Sequence, residues 1–497
     1  MGYKQRIDAA RVWAILFPAM HRLEILIAAA MLCAVPQSCA AADQPRAVHV
    51  DASSVTGRIR SLQGVNLGPV HSRSGLPDLT RQFRNLRIDF VRTHDFYGPT
   101  DIDFAPPGQS AGVIFPDWNA NPELESSYHF AASDPLILAI VASGAKVYYR
   151  LGRSWNAPAT PPPNFDKFAS VARHIAMHYN GGWANGYQLN IRYWEFWNEP
   201  DTTFKPDFWT GSPEQLFELY EKTAHALKSY DPTLKVGALG FALPDVPNRY
   251  RDGLLRYCVD HKVPLDFFSW HQYGTFTGDP YQLVRVARTV RNLLDSYGLT
   301  STESHLNEWN LDLAENGVRF TQDSATAAAY TATALVYLQD APVEYSFYYR
   351  GDAGHKFSIF SATGEPLKKA FAFKSTAMLM DTPVRVAATG GDEDGFSVLA
   401  GRSEDGRTVQ VMITNYEIHA PLPPVKERTT RPAPAGYHLT VDQLPWGASS
   451  FRWKRYRVSE KRNFEVIAEG SSQGPAFQMT SDLSNPGFEL LVLEKTP

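Results

Sequence analysis

Two glutamates, each placed at the end of a short β-forming run, carry the clearest chemical signal in this sequence. Glu199 lies in the segment Trp-Asn-Glu-Pro at 197–200, and Glu308 lies in the segment Asn-Glu-Trp-Asn at 307–310. Pro200 cannot continue a strand, so Glu199 is expected at a strand end. Both acids are therefore predicted beside amide and aromatic groups, where a substrate binds.

A pair of carboxyl groups supplies the chemistry that glycoside hydrolysis requires. One carboxylic acid protonates the leaving oxygen while the other carboxylate attacks or stabilises the anomeric carbon. Glycosidases whose two carboxyl groups lie ~5–5.5 Å apart retain the configuration of the anomeric carbon, because the reaction passes through a covalent intermediate. We predict Glu199 as the general acid/base and Glu308 as the nucleophile. Repulsion from an ionised Glu308 is expected to raise the pKa of Glu199 and keep it protonated.

The residues from about 61 to 373 predict the elements that must position these acids. Short β-rich runs alternate there with helical patterns such as Pro213–Tyr230 and Tyr281–Tyr297, which indicates βα units. Eight strands are predicted: Ser61–Asn66, Phe90–Thr93, Lys146–Arg150, Tyr193–Trp197, Lys235–Leu239, Phe267–Trp270, His305–Glu308 and Glu344–Tyr348. They predict an α/β fold, a (β/α)8 TIM barrel with its site at the strand ends. An open doubly wound sheet is the alternative, but no G-x-G-x-x-G or P-loop pattern follows any of these runs.

The residues after about 375 predict a second, all-β domain. Short alternating runs are separated there by Gly, Pro, Asn and Asp, a pattern typical of a β-sandwich. The predicted strands are Phe396–Ala400, Thr408–Thr414, Tyr437–Val441, Arg452–Val458, Phe464–Ala468 and Phe488–Leu493. We assign residues 43–375 to the barrel and 376–497 to the sandwich, with a loop at Pro421–Pro434.

Residues 1–42 are predicted to be a secretory signal peptide. His21 and Arg22 precede an apolar run, Ile25–Val35, and small residues follow up to Ala42. Such a run is too short to span a bilayer, which disfavours a permanent membrane anchor. Met20 is a candidate true start, and a buried N-terminal helix is the alternative. The protein is expected to be exported to the periplasm or the medium.

Composition narrows the classes of partner and cofactor. With 48 Lys and Arg against 52 Asp and Glu, the net charge of −4 offers no long-range attraction for nucleic acid. Cys258 is the only cysteine expected in the mature chain, so no internal disulfide is predicted. No His-Glu-x-x-His pattern predicts a metal site. Two-carboxylate hydrolysis needs no cofactor, and none is predicted.

The motifs around the two glutamates resemble those of glycoside hydrolase family 39, a family of retaining barrel glycosidases that contains β-xylosidases and α-L-iduronidases. The resemblance also covers the segments Gly64–Asn66, Val91–Asp95 and Asp266–Tyr273. It implies the same acid/base and nucleophile as above. It further implies a sandwich packed on the barrel that recruits an N-terminal strand, for which Ala47–Ala52 is the candidate.

The resemblance also implies which side chains hold the cleaved sugar. Asn198 would donate a hydrogen bond to the sugar 2-hydroxyl, and His94, His271 and Tyr273 would line the subsite. Each histidine has a plainer reading as a hydrogen-bonded structural residue. The tryptophans Trp309 and Trp155 are candidate stacking platforms for the sugar, although either could instead be wall packing.

Other charged residues near the predicted strand ends have structural readings. Arg92 is expected to be a buried partner of strand-end acids, and Glu195 a buried, paired structural acid. The loop after the last barrel strand departs from the aromatic, acid-rich pattern of the family's xylosidases. Its Arg350 and His355 could favour a carboxylated sugar such as a uronate, or be ordinary loop charges.

The leading functional hypothesis is an exo-acting β-xylosidase with an oligosaccharide or polysaccharide substrate. The first alternative is an endo-acting glycosidase of an exopolysaccharide or a uronate-containing glycan. The second is a catalytically inactive carbohydrate-binding protein, which the presence of both Glu199 and Glu308 argues against. The sequence favours no oligomeric state.

Overall fold

The structure is a computed structural model of the chain. It describes residues 45–73, 75–102, 113–154, 159–202, 207–275, 278–312, 314–315, 318–319, 323–418 and 432–497. The predicted signal peptide and most of the predicted proline-rich loop lie outside these residues. Within them, no helix is long and apolar enough to span a membrane.

A closed barrel of eight parallel strands forms the larger part of the described chain, as predicted. Its strands are β2 (Gly64–Asn66), β3 (Phe90–Arg92), β4 (Lys146–Leu151), β5 (Tyr193–Phe196), β6 (Lys235–Phe241), β7 (Phe267–Tyr273), β8 (Glu303–Asn310) and β11 (Tyr345–Tyr348); β1 (Arg46–Arg58) precedes them, and a small hairpin of β9 (Ala314–Glu315) and β10 (Val318–Arg319) follows β8. Strand β11 pairs with both β2 and β8 and thereby closes the barrel.

Helices connect the barrel strands and cover their outer face. They are α1 (Thr80–Leu86), α2 (Asp134–Ala142), α3 (Phe165–Gly181), α4 (Pro213–Tyr230), α5 (Arg249–His261), α6 (Gln282–Ser296), α7 (Ala325–Tyr337) and α8 (Ala370–Leu379). Local sequence sets several starts: Ser212 forms a capping box before α4, and the Asn248 side chain accepts two backbone N–H groups before α5. These caps fix the loops that carry the strand ends.

Aromatic rings close the amino end of the barrel interior. Phe90, Tyr148, Tyr193, Phe267 and Phe347, all buried, pack together there. Parallel strands bring every second side chain inward in layers, so polar inward residues of the same strands lie above this floor. The floor therefore leaves only the carboxyl ends of the strands for a binding site.

The second domain is a mostly antiparallel β domain built on one continuous sheet. Its described strands are β12 (Val384–Thr389), β13 (Phe396–Arg402), β14 (Thr408–Asn415), β15 (Tyr437–Asp442), β16 (Ser450–Ser459), β17 (Arg462–Gln473), β18 (Phe477–Ser481) and β19 (Gly487–Lys495). Together with β1 they form a sheet of nine described strands in the order β17-β16-β19-β14-β13-β12-β1-β15-β18. The sheet folds over its own core, because Phe451 of β16 and Phe477 of β18 meet at 6.0 Å.

Strand β1 lies in this sheet and not in the barrel. It pairs antiparallel with β12 and parallel with β15, as expected for the recruited strand at Ala47–Ala52. Val48, Val50 and Ala52 are buried in the sheet core. Strand β1 extends to Arg58, beyond the predicted segment.

The two domains share a hydrophobic interface. Helix α7 packs on β13, β14 and β19, and Thr333 of α7 donates a hydrogen bond to Thr414 of β14 at 2.8 Å. The predicted domain boundary after residue 375 falls inside α8, which continues to Leu379 before β12 begins at Val384. Cys258 is buried and free.

We predict that β1 is essential for the stability of the β domain. Val50 is fully buried, and Val50→Ala is expected to lower the free energy of unfolding by about 2 kcal/mol through loss of packing. His49→Ala is the control, because the neighbouring side chain is 51% exposed and should change the value by less than about 0.5 kcal/mol. Urea denaturation measures both variants, and equal midpoints would contradict the structural role of β1.

Candidate active site

Glu199 lies on a tight turn directly after β5. Trp197 and Glu199 both have positive φ angles, 67° and 43°, which side chains other than glycine rarely adopt. The backbone N–H of Glu199 donates to the carbonyl oxygens of Leu239 at 3.0 Å and Gly240 at 3.1 Å. Strand β5 ends at Phe196, and the end of β6 holds the strained turn that follows it.

Glu308 lies across the barrel mouth from Glu199, near the end of β8. One carboxylate oxygen of each glutamate and a ring nitrogen of His271 lie within 4.8 Å of one another. His271 Nδ1 is 2.6 Å from Glu199 Oε1 and 3.6 Å from Glu308 Oε2. The predicted pair of acids is therefore brought together, with His271 between them.

Arg92 is a buried cation that binds Glu308 and Glu195 at the base of the site. Its guanidinium donates to Glu308 Oε1 at 2.7 Å and to Glu195 Oε2 at 2.5 Å. It also donates to Asn198 Oδ1 at 2.8 Å and to Asn66 Oδ1 at 3.1 Å. Arg92 and Glu195 are fully buried, which confirms their predicted structural pairing.

Tyr273 and Asn198 point their donors at the same small volume. The Tyr273 hydroxyl donates to Glu308 Oε2 at 2.6 Å, and burial holds the pKa of this tyrosine well above its usual value. The Asn198 amide oxygen is taken by Arg92, so its N–H₂ group is left to face the pocket. An amide in this orientation can donate to a sugar hydroxyl.

His94 stands beside the nucleophile candidate. Its Nε2 atom lies 3.5 Å from Glu308 Oε1 and 3.4 Å from Asp95 Oδ1. Burial and the nearby Arg92 charge hold the pKa of His94 well below its usual value, and burial lowers that of His271 to about 4. Both imidazoles are therefore neutral near pH 7.

Burial separates the acidities of the two glutamates. Burial, together with the Asp201 charge, raises the pKa of Glu199 to about 8, against the opposing effect of Arg92. Burial also raises the pKa of Glu308, but the neighbouring His271 and Arg92 oppose the rise. Burial, and not the expected repulsion by Glu308, is the leading cause for Glu199. The site can hold one protonated and one ionised carboxyl group.

This cluster has the geometry of a hydrogen-bonded acid pair. Two ligands of a tetrahedral zinc ion with bonds of ~2.0–2.1 Å stand about 3.3 Å apart. His271 and Glu199 approach to 2.6 Å, which is a direct hydrogen bond. A proton, not a metal ion, therefore fits between these two groups.

Comparisons with known proteins agree with this geometry. Residues 136–353 match the family model described as glycosyl hydrolases family 39. The solved structure of a glucosidase from Croceicoccus marinus is similar over 92% of this chain and 100% of that chain, with 30% identity and a TM-score of 0.81. The chain belongs to glycoside hydrolase family 39.

Two β-xylosidases are also similar to this member of family 39. The protein from Geobacillus stearothermophilus is 26% identical over 254 residues, which cover 45% of this chain and 48% of that protein. The protein from Caldicellulosiruptor saccharolyticus is 31% identical over 230 residues, which cover 44% of each. The chain spans about half the length of the two β-xylosidases that it matches.

Of the two tryptophans predicted as sugar platforms, only Trp309 lies in the part of the chain that the structure describes. The prediction for Trp309 is wrong, because its indole is fully buried and packs edge-on against Tyr348 at 5.0 Å. Strand β8 has one extra residue between its pairs Trp270–Leu306 and His271–Glu308 with β7, so Asn307 and Glu308 both face the interior and Trp309 faces out. Trp155 lies outside the described residues.

Sequence reasoning missed three contributors to the site. Asp95 accepts a hydrogen bond from the Tyr349 hydroxyl at 2.6 Å, and Asp201 lies beside Glu199. Gly240 has φ +59°, and a Cβ there would lie 3.0 Å from His271 Nε2. Asp95 is the last residue of a matched segment and Asp201 directly follows another, so their positions were a usable signal. The sequence around Gly240 offered no such signal, because its closeness to His271 is seen only in the folded chain.

Removing the buried cation should destabilise the fold. Arg92→Met leaves Glu195 and Glu308 buried without their partner, and is expected to lower the free energy of unfolding by about 3–5 kcal/mol. Arg385→Met is the matched control, since it breaks a more exposed pair with Asp340 and should cost about 0–1 kcal/mol. Urea denaturation compares them. Equal losses of unfolding free energy in the two variants would show that the Arg92 network does not stabilise the fold.

Proposed function

We propose that the protein is a retaining glycoside hydrolase in which Glu199 is the acid/base and Glu308 the nucleophile. The observation that carries this proposal is the approach of the two carboxyl groups to within 4.8 Å, atom to atom. Retaining enzymes hold these groups ~5–5.5 Å apart, whereas inverting enzymes need ~6.5–9.5 Å to admit a water. Membership of family 39 supports the same chemistry.

The first step transfers the glycosyl unit to the protein. The ionised Glu308 carboxylate attacks the anomeric carbon, and Glu199 gives its proton to the leaving oxygen. Arg92 and Tyr273 each bind one oxygen of Glu308, which holds the carboxylate in one orientation for attack. The buried, protonated Glu199 is available as the acid near neutral pH because its pKa is raised.

The second step releases the sugar. Formation of the ester removes the Glu308 charge from the pocket, and Glu199, now ionised, takes a proton from the attacking water. His271 lies 2.6 Å from Glu199 and is neutral, so it can hold the acid/base in place in both protonation states. Water then cleaves the ester and restores both carboxyl groups.

We propose a terminal β-xyloside as the preferred substrate. The two β-xylosidases with 26% and 31% identity support it, although each alignment covers less than half of either protein. A glucoside is the second candidate, because the protein that is similar over the whole of its length is described as a glucosidase. Both sugars are neutral, and both would use the same pair of acids.

The described charges near the pocket disfavour a uronate substrate. Arg350 binds Asp352 through two nitrogens, one of them at 2.8 Å, so its charge is compensated. Burial lowers the pKa of His355 to about 4, which leaves it neutral near pH 7. Neither residue supplies the free cation that a sugar carboxylate would need. An endo-acting enzyme for a neutral glycan remains the alternative to exo action.

We also propose that the protein acts outside the cytoplasm. The basic, apolar and small-residue segments that end at Ala42 support export by a cleaved signal peptide. Detection of mature protein beginning near residue 43 in the periplasm or medium tests this proposal. Retention of the intact N-terminus inside the cell would contradict it.

A substrate panel tests the function and the nucleophile together. We expect release of nitrophenol from the β-xyloside in preference to the β-glucoside, β-galactoside, α-arabinoside and β-glucuronide, with stepwise trimming of a xylo-oligosaccharide. Glu308→Ala should abolish this activity, because no group can then form the covalent intermediate. Glu218→Ala, an exposed position on α4, should match the wild type.

Chemical rescue distinguishes the acid/base from the nucleophile in the same assays. Glu199→Ala should lower kcat/KM by about 10²–10⁴-fold. Added azide should restore turnover of an aryl xyloside with a good leaving group, because azide attacks the intermediate without base assistance. An active Glu308→Ala variant would contradict the proposed two-carboxylate mechanism. An inert wild type on every glycoside would remove the β-xyloside proposal and direct the search to polysaccharides.

The raised pKa of Glu199 predicts the pH dependence. The free enzyme must carry a proton on Glu199 and a charge on Glu308, so kcat/KM should rise with ionisation of Glu308 and fall as Glu199 loses its proton near pH 8. The profile is measured on the aryl xyloside. In Glu199→Ala with azide the basic limb should disappear; a basic limb that persisted there would belong to another group.

A further inference from the structure

Asp201 fastens the loop after β5 to the loop after β6. Its Oδ1 atom accepts the backbone N–H of Ala242 at 2.9 Å, and its Oδ2 atom accepts that of Leu243 at 3.1 Å. The Asn248 side-chain amide also donates to Oδ2, at 3.3 Å. The residue is only 8% exposed. A carboxylate has thus been buried to bind three neutral amide donors among the described residues.

The same segment holds the Glu199 turn from its other side. The Glu199 N–H binds the carbonyl oxygens of Leu239 and Gly240, while Asp201 binds the N–H groups of Ala242 and Leu243. The turn that presents Glu199 is therefore tied at two points to one short stretch of chain. This double attachment fixes both the position of Glu199 and its nearness to a second carboxylate.

We propose that Asp201 is a positioning residue for the acid/base: it clamps the Glu199 turn to the loop after β6 and holds a carboxylate beside the Glu199 carboxyl group. This inference rests on the proposed role of Glu199. Asp201 follows the family motif by one residue and takes no part in bond making itself. Its effect reaches the reaction through Glu199.

The charged and titratable groups that face Glu199 from neighbouring elements agree with this role. They are Arg92 on β3, Asp95 after β3, His271 on β7 and Glu308 on β8. After burial, Asp201 is the strongest influence that raises the pKa of Glu199, ahead of Asp95. Asp201 can exert this effect because its described donors are neutral amides, whereas Glu308 is paired with Arg92.

Carboxyl ¹³C NMR of the full chain measures this role without reference to catalysis. The Glu199 signal is assigned by its loss in Glu199→Gln, and its titration midpoint is followed in each variant. Asp201→Asn and Asp201→Ser both remove the charge, and should move the midpoint down by about one pH unit. Asp201→Glu keeps the charge and should stay near the wild type. Asp245→Asn, an exposed acid of the same loop, is the matched control and should not change it.

The two neutral variants, Asp201→Asn and Asp201→Ser, decide the outcome. Two are made so that the test still stands if one of them does not fold. A folded neutral variant whose Glu199 midpoint equals that of the wild type overturns the inference. The basic limb of kcat/KM should move in the same direction as the midpoint. If the midpoint moves while no glycoside is cleaved, the positioning role stands and the proposed function fails. If glycosides are cleaved and the midpoint is fixed, only this inference fails.

Discussion

One buried guanidinium, that of Arg92, sets the charge and the geometry of the whole site. It pairs with Glu195 and Glu308, so the enclosed core already holds two carboxylates for one cation before Glu199 is counted. The adjacent histidines are neutral and add no positive charge. A third ionised carboxylate within 4.8 Å would be uncompensated, so the proton remains on Glu199. Burial and charge balance therefore both favour a protonated Glu199 and an ionised Glu308, as the proposed roles require.

The barrel can hold this charge because its strands place aromatic residues near the amino end of the barrel and polar residues nearer its carboxyl end. On β3, Phe90 belongs to the aromatic floor, and Arg92 follows two residues later in the polar layer. Strand β5 repeats the order with Tyr193 in the floor and Glu195 above it. The floor excludes water from below, so each polar group must find its partner in the layer above.

Sequence reasoning succeeded where periodicity and strand ends decide the outcome. All eight barrel strands, the placement of Glu199 and Glu308 at strand ends and the structural role of Glu195 follow from such local signals. It failed at Trp309 because β8 runs on to Asn310 and contains a register shift relative to β7 between Trp270 and His271. A bulge of this kind depends on the neighbouring strand, which one sequence does not reveal. The strands β12 and β18 were missed for a related reason, since sheet pairing defines them more than composition does.

The wall beside Glu308 supports the proposed neutral sugar on independent grounds. Tyr273, Tyr349 and Phe357 contact one another with ring centroids 5.8–6.3 Å apart. Both tyrosine hydroxyls are engaged, by Glu308 and by Asp95, so the rings offer the substrate mainly apolar surface. The two acceptors are carboxylates, and a uronate entering here would meet like charge. Apolar rings beside hydrogen-bond acceptors suit the C–H faces and hydroxyl edges of an uncharged pyranose, which is the recognition that a xyloside or a glucoside requires.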